Sequence, residues 1–115
     1  MKKITLNNKK FTTVNNSKGG AASSQTTFHY RQKGKVVTAG YQGGNITHGK
    51  IIAKLIDDDT LEMLYQCLTT DEELKAGKAI AKMELDDEGL IRLKLNWEWM
   101  DDSGQKGTSE FVEVT

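Results

Sequence analysis

Apolar and polar residues alternate along most of this chain in short stretches, and each stretch ends in a cluster of turn formers. Ile91, Leu93, Leu95, Trp97 and Trp99 share one parity, while Arg92, Lys94, Asn96 and Glu98 share the other. Successive side chains of an extended strand point to opposite faces, so this period of two predicts a strand over 90–100 with one apolar face. The same pattern sets Phe28 and Tyr30 against His29 and Arg31, aligns Val37, Ala39 and Tyr41, and aligns Leu61, Met63, Tyr65 and Cys67. Lys33-Gly34, Gly43-Gly44, Asp57-Asp58-Asp59, Asp71-Glu72-Glu73, Asp86-Asp87-Glu88-Gly89 and Asp101-Asp102-Ser103-Gly104 punctuate these stretches. Their spacing of roughly 10–15 residues is that of antiparallel hairpins following one another in a meander.

Three stretches are less regular. The first 24 residues are polar and weakly patterned; a short strand is expected over 10–14, followed by a loop over 15–24 around Lys18-Gly19-Gly20. Within 45–56 both Ile51 and Ile52 are apolar and the alternation slips near Gly49, as a β-bulge would make it slip. Residues 70–85 open with Thr70-Asp71-Glu72-Glu73, a capping-box pattern, and place Ala76, Ala79, Ile80 and Met83 at helical spacing. Against a helix, Ala79, Ala81, Met83 and Leu85 also alternate, and Gly77 would cost a helix about 1 kcal/mol. The segment is read as a strand. With the closing strand over 108–114 the count is eight, and the expected fold is all-β: one domain over 1–115, an antiparallel meander closing into an eight-stranded up-and-down barrel of the lipocalin or avidin kind. Such an interior just holds side chains or one small ligand; a half-open barrel or a sandwich is the fallback.

The run Phe28-His29-Tyr30-Arg31-Gln32, the positions Val37, Ala39, Tyr41, Gly43-Gly44, Ile46 and Gly49, then Met63, Tyr65, Gly77, Gly89-Leu90-Ile91-Arg92-Leu93 and Trp97-Glu98-Trp99, together resemble a family of small, mostly bacterial β-rich proteins of unknown function. Its members often carry the label N-acetylglutamate synthase. The resemblance runs from about residue 11 to 114, with the Trp-x-Trp and Gly-Gly-x-Ile elements its more specific parts, and it implies a compact antiparallel β domain. The chain departs from it at Lys78-Ala79-Ile80-Ala81, where a more polar, cysteine-containing stretch is expected. It carries over no catalytic residue. The label itself demands a cradle for the pyrophosphate of acetyl-CoA, built from backbone N–H groups at a helix N-terminus. Arg31-Gln32-Lys33-Gly34-Lys35-Val36 comes near the required loop, but valine stands where a small residue is needed, and Val36-Val37-Thr38-Ala39 continues as a strand. A hairpin turn with a basic rim is the better reading.

Charge and composition narrow the partners. Sixteen basic and sixteen acidic residues cancel, so no global field draws the chain to nucleic acid or membrane. The lone Cys67 cannot form an internal disulfide and fits a reducing compartment. Met1-Lys2-Lys3 has the charge of a signal-peptide start, yet Ile4-Thr5-Leu6-Asn7-Asn8 ends the apolar run too soon. A cytoplasmic location is therefore expected, and the sequons at Asn15 and Asn45 are chance occurrences. His29, His48 and Cys67 lack the tight spacing of metal ligands, and Asp57-Asp58-Asp59 lacks the spaced oxygens of a calcium loop, so neither metal nor cofactor is expected. No catalytic residue is assigned.

The aromatic residues carry the functional reading. Tyr30, Tyr41, Tyr65, Trp97 and Trp99 fall on apolar faces of different strands, and closure would turn all of them inward. They either fill a core or line a pocket for a small apolar or aromatic molecule, with small residues at Gly49, Ala53, Ala79 and Ala81 leaving room. The expected function is a non-catalytic small-molecule-binding barrel, ahead of an interaction module with a filled core and of an acyltransferase. Ligand identity and oligomeric state are not legible.

Overall fold

The computed structural model of the protein describes residues 4–16, 23–101 and 103–114. Eight strands follow in chain order: β1 (Lys9–Asn16), β2 (Thr27–Lys33), β3 (Val36–Gly43), β4 (Ile46–Asp57), β5 (Thr60–Thr69), β6 (Leu74–Leu85), β7 (Ile91–Trp99) and β8 (Lys106–Val114). Each pairs antiparallel with the next, and β1 pairs with β8, so the sheet is a closed barrel in sequence order. Closure gives every strand a partner on both sides and leaves no edge to template association. The eight-stranded up-and-down barrel expected from the turn spacing is the fold.

Parity decides what meets inside. Along β7 Ile91, Leu93, Leu95, Trp97 and Trp99 are buried, while Lys94, Asn96 and Glu98 are exposed. Val37, Ala39 and Tyr41 of β3 and Leu61, Met63 and Cys67 of β5 join them. The parity slip in β4 is real but lies upstream of Gly49: pairing with β5 shifts between Ile46 and His48. One inserted residue there lets Ile46, Gly49, Ile51 and Ala53 all face inward and turns Ile52 out.

Residues 70–85 form a turn and strand β6. The capping signature works, but at Thr69 and as a hairpin turn. Thr69 Oγ1 accepts from the Glu73 N–H at 3.1 Å, Thr69 N–H donates to the Glu73 carbonyl at 2.9 Å, and Glu72 takes a φ of +65°. A strand prevails over a helix because β6 satisfies its backbone on both sides, against β5 and β7, while burying Ala79, Ala81 and Met83. Leu85, expected on that face, is exposed at the strand end.

The weakly patterned beginning of the chain hides a structural part. Leu6 is fully buried, and half-buried Ile4 packs against the same core. Leu6 N–H donates to Gln32 Oε1 at 2.9 Å, and Gln32 N–H donates to Asn7 Oδ1 at 3.1 Å, a reciprocal clasp at the end of β2. This apolar pair, read from the sequence only as an aborted signal peptide, packs into the barrel at the end bearing the β2–β3, β4–β5 and β6–β7 turns. Residues 1–3 and 17–22, the latter the centre of the expected glycine-rich loop, lie outside the described residues.

Candidate ligand pocket

At the other end, where β1–β2, β3–β4, β5–β6 and β7–β8 connect, the inward side chains do not meet completely. A half-open pocket of about 50 Å³ remains, and all five aromatic residues singled out from the sequence, Tyr30, Tyr41, Tyr65, Trp97 and Trp99, line it. Further lining residues were not foreseen, among them Asn16, Phe28, Ser109 and Phe111. The parity of Phe28 with Tyr30 and of Ser109 with Phe111 carried that signal. Asn16 had none, because the β1–β8 register shifts between Thr13 and Asn15.

The five rings divide into two groups by what their polar atoms do. Tyr41 of β3 lies flat across Gly49 of β4, where an added Cβ would stand 2.4 Å from its ring, and its hydroxyl donates to the Gln66 carbonyl of β5 at 3.2 Å. Tyr65 of β5 repeats the arrangement two strands on. It lies across Gly77 of β6, where a Cβ would stand 2.5 Å from its hydroxyl, and it hydrogen-bonds the Glu98 backbone of β7. Each ring thus bridges one strand and ties to the next, packing over the bare backbone of a cross-strand glycine. Gly49 therefore accommodates Tyr41 instead of opening space, and Ala53, Ala79 and Ala81 are core residues outside the lining. The expectation that small residues make the pocket is corrected on both counts.

Tyr30 and Trp97 are different. They are 1% and 5% exposed, yet neither Tyr30 Oη nor Trp97 Nε1 has a hydrogen-bond partner among the described residues. A third such atom, Thr13 Oγ1, is not part of the lining. Packing holds both rings in place: Tyr30 meets Phe11 edge-on at 5.3 Å, and Trp97 lies 5.9 Å from Trp99. Trp99 in turn meets Tyr65 edge-on at 5.5 Å, and Lys75 Nζ sits 4.3 Å over its ring. Ser109 donates its hydroxyl to Asn16 Oδ1 across the β8–β1 seam.

A family model described as "Avidin-like protein" matches residues 4–114. The chain belongs to the avidin-like family. The match spans all eight strands and agrees with the small β-rich family resemblance read from the sequence, though it says nothing for the synthase label. No curated protein and no solved structure matches significantly.

Electrostatics make this avidin-like pocket a neutral one. Among the described residues that line it none carries a charge. Burial pushes the Tyr30, Tyr41 and Tyr65 phenols well above their ordinary range, and the Cys67 thiol beside Tyr41 is pushed up by the same cause. His29 and His48 both lie exposed on the outer face. Among the described residues no three metal-ligating side chains cluster, and no helix is long and apolar enough to cross a membrane.

Proposed function

We propose that this avidin-like barrel is a non-catalytic binding protein whose end pocket takes the head of a small apolar or ring-containing molecule. The carrying observation is the pocket itself, an opening walled by aromatic rings at one end of a closed barrel, two of whose lining residues carry a buried, unpartnered polar atom. Membership of a family whose members bind small molecules such as biotin supports the same reading. Size limits what enters. A cavity of about 150 Å³ accepts benzene, so a pocket of about 50 Å³ receives only part of a ligand unless its rings move. The test is a thermal-shift screen of metabolites and lipids, biotin included, followed by tryptophan fluorescence. A ligand at about 100 times its dissociation constant stabilises the native state by about 2.7 kcal/mol, enough to read. No hit across the panel would leave the aromatic set as plain core.

A second reading, an interaction module with a filled interior, is favoured by the outer wall. Ile52 and Leu64 stand directly opposite each other on β4 and β5, 67% and 56% exposed. Sedimentation of the wild type against Ile52→Lys tests it, and an unchanged monomeric distribution counts against it. The acyltransferase reading has no support: Arg31 to Val36 crosses from β2 to β3 through a tight turn with Gly34 at φ +61°. Calorimetric titration with coenzyme A is expected to be flat.

A further inference from the structure

The polar atoms of the pocket are nearly all spent on the barrel. The Tyr41 hydroxyl donates to the Gln66 carbonyl, the Tyr65 oxygen accepts from the Glu98 backbone, and the Ser109 hydrogen goes to Asn16. Two fully buried donors of lining residues remain, the Tyr30 hydroxyl and the Trp97 indole N–H, both on residues more than nine-tenths buried and both without a partner among the described residues. An indole N–H can only donate, and a phenol can donate. Leaving such groups unpaired in an apolar interior is costly, so their complement is an acceptor.

Charge then selects the kind of acceptor. A carboxylate or phosphate at this depth would be stripped of water, and among the described residues no cation lines the pocket to compensate it. The nearby ammonium of Lys75 lies over Trp99 without belonging to the lining. A cationic head would face two donor hydrogens and no anion. An uncharged group with strong lone pairs has neither problem.

We infer that Tyr30 and Trp97 are the specificity-determining donors of the pocket, and that they select a neutral ligand bearing an acceptor such as an amide, lactam or ketone oxygen. Tyr41, which also lines the pocket and spends its hydroxyl on Gln66, acts as a brace and contributes ring surface only. The inference rests on the small-molecule reading above and adds to it the polarity of the ligand and the residues that read it.

The chain holds two tryptophans, so a ¹H–¹⁵N spectrum shows two indole resonances, and loss of one in Trp97→Phe assigns the other. Four probes are titrated into the labelled protein: 2-pyrrolidinone, methylenecyclopentane as its shape without a strong acceptor, pyrrolidinium, and cyclopentanecarboxylate. The lactam is expected to move the Trp97 indole proton downfield, and the two ions to move neither resonance. Tyr30→Phe should weaken the lactam about five-fold and leave methylenecyclopentane unchanged. Equal binding of methylenecyclopentane and lactam with a stationary Trp97 proton would overturn the acceptor inference while the pocket stands, and so would binding of either ion. If no probe shifts any resonance of the lining residues, the small-molecule reading falls together with the inference.

Discussion

Replacing Tyr30 by Phe should make the empty barrel more stable, which is the reverse of what truncating a buried residue usually does. The side chain is 1% exposed, and its hydroxyl is among the buried atoms with no partner. A hydroxyl left unpaired in the interior costs about 1–3 kcal/mol. Phe keeps what the ring contributes, the edge-on contact with Phe11 at 5.3 Å and the stacking on Phe28 at 6.4 Å. Against this gain stands the space of one oxygen atom, on a ring that lines the existing pocket of about 50 Å³. The expected balance is a stabilisation of about 1 kcal/mol, or about 4 °C in melting temperature for a domain of this size. Urea melts of both proteins with matched slopes give the free-energy difference directly. The same variant should respond less to acceptor-bearing ligands, the trade between stability and function expected of a group kept for binding. A loss of more than about 1 kcal/mol would refute the reasoning, since it would mean the hydroxyl is satisfied in the native state.

Other consequences follow from the same packing. Gly77→Ala should destabilise more than Gly49→Ala, each on the scale of about 1–3 kcal/mol for overpacking. The Cβ at Gly77 meets the Glu98 carbonyl at 2.7 Å, which is backbone, whereas at Gly49 its three nearest atoms all belong to the Tyr41 ring; equal losses in denaturant melts would contradict this. Trp97→Ala should cost about 3–5 kcal/mol, since the indole is buried on the inner face, and a loss below about 1 kcal/mol would be incompatible with that placement. The three phenols are held above their ordinary range by burial. Their folded pKa values therefore exceed the unfolded value of about 10, and the stability they contribute is complete below that pH and lost as pH rises beyond it. Tyrosinate absorbance should accordingly appear together with unfolding in an alkaline titration; ionisation of all three in a protein with native circular dichroism would count against their burial.

Most of the fold was legible because a barrel wall imposes a local rule. Wherever one face of a strand is dry and the other wet, parity alone assigns the side, and so Ile91 through Trp99 could be placed without knowing their neighbours. The rule also carried 70–85, where helical spacing and alternation competed and pairing on both sides decided for the strand. It failed where the inward residues are few or the register shifts. Leu6 reaches the core from outside any strand, and the inward turn of Asn16 follows a shift between Thr13 and Asn15 that leaves no mark on the pattern.

The candidate site was legible in membership and illegible in roles. Period two and closure suffice to bring Tyr30, Tyr41, Tyr65, Trp97 and Trp99 to the same interior, since inwardness is a property of each strand by itself. Whether a hydroxyl finds a partner depends on which backbone group lies within about 3 Å of it, and that is fixed by the stagger of strands far apart in the chain. The stagger brings Gln66 to Tyr41 and Glu98 to Tyr65, and it leaves Tyr30 and Trp97 with nothing. The same is true of the free volume. Glycine at 49 looked like space, and only the tertiary packing shows that a tyrosine from the neighbouring strand occupies it, as another does at Gly77. Local alternation determined which residues face in; the three-dimensional register determined which of them still have a bond to offer.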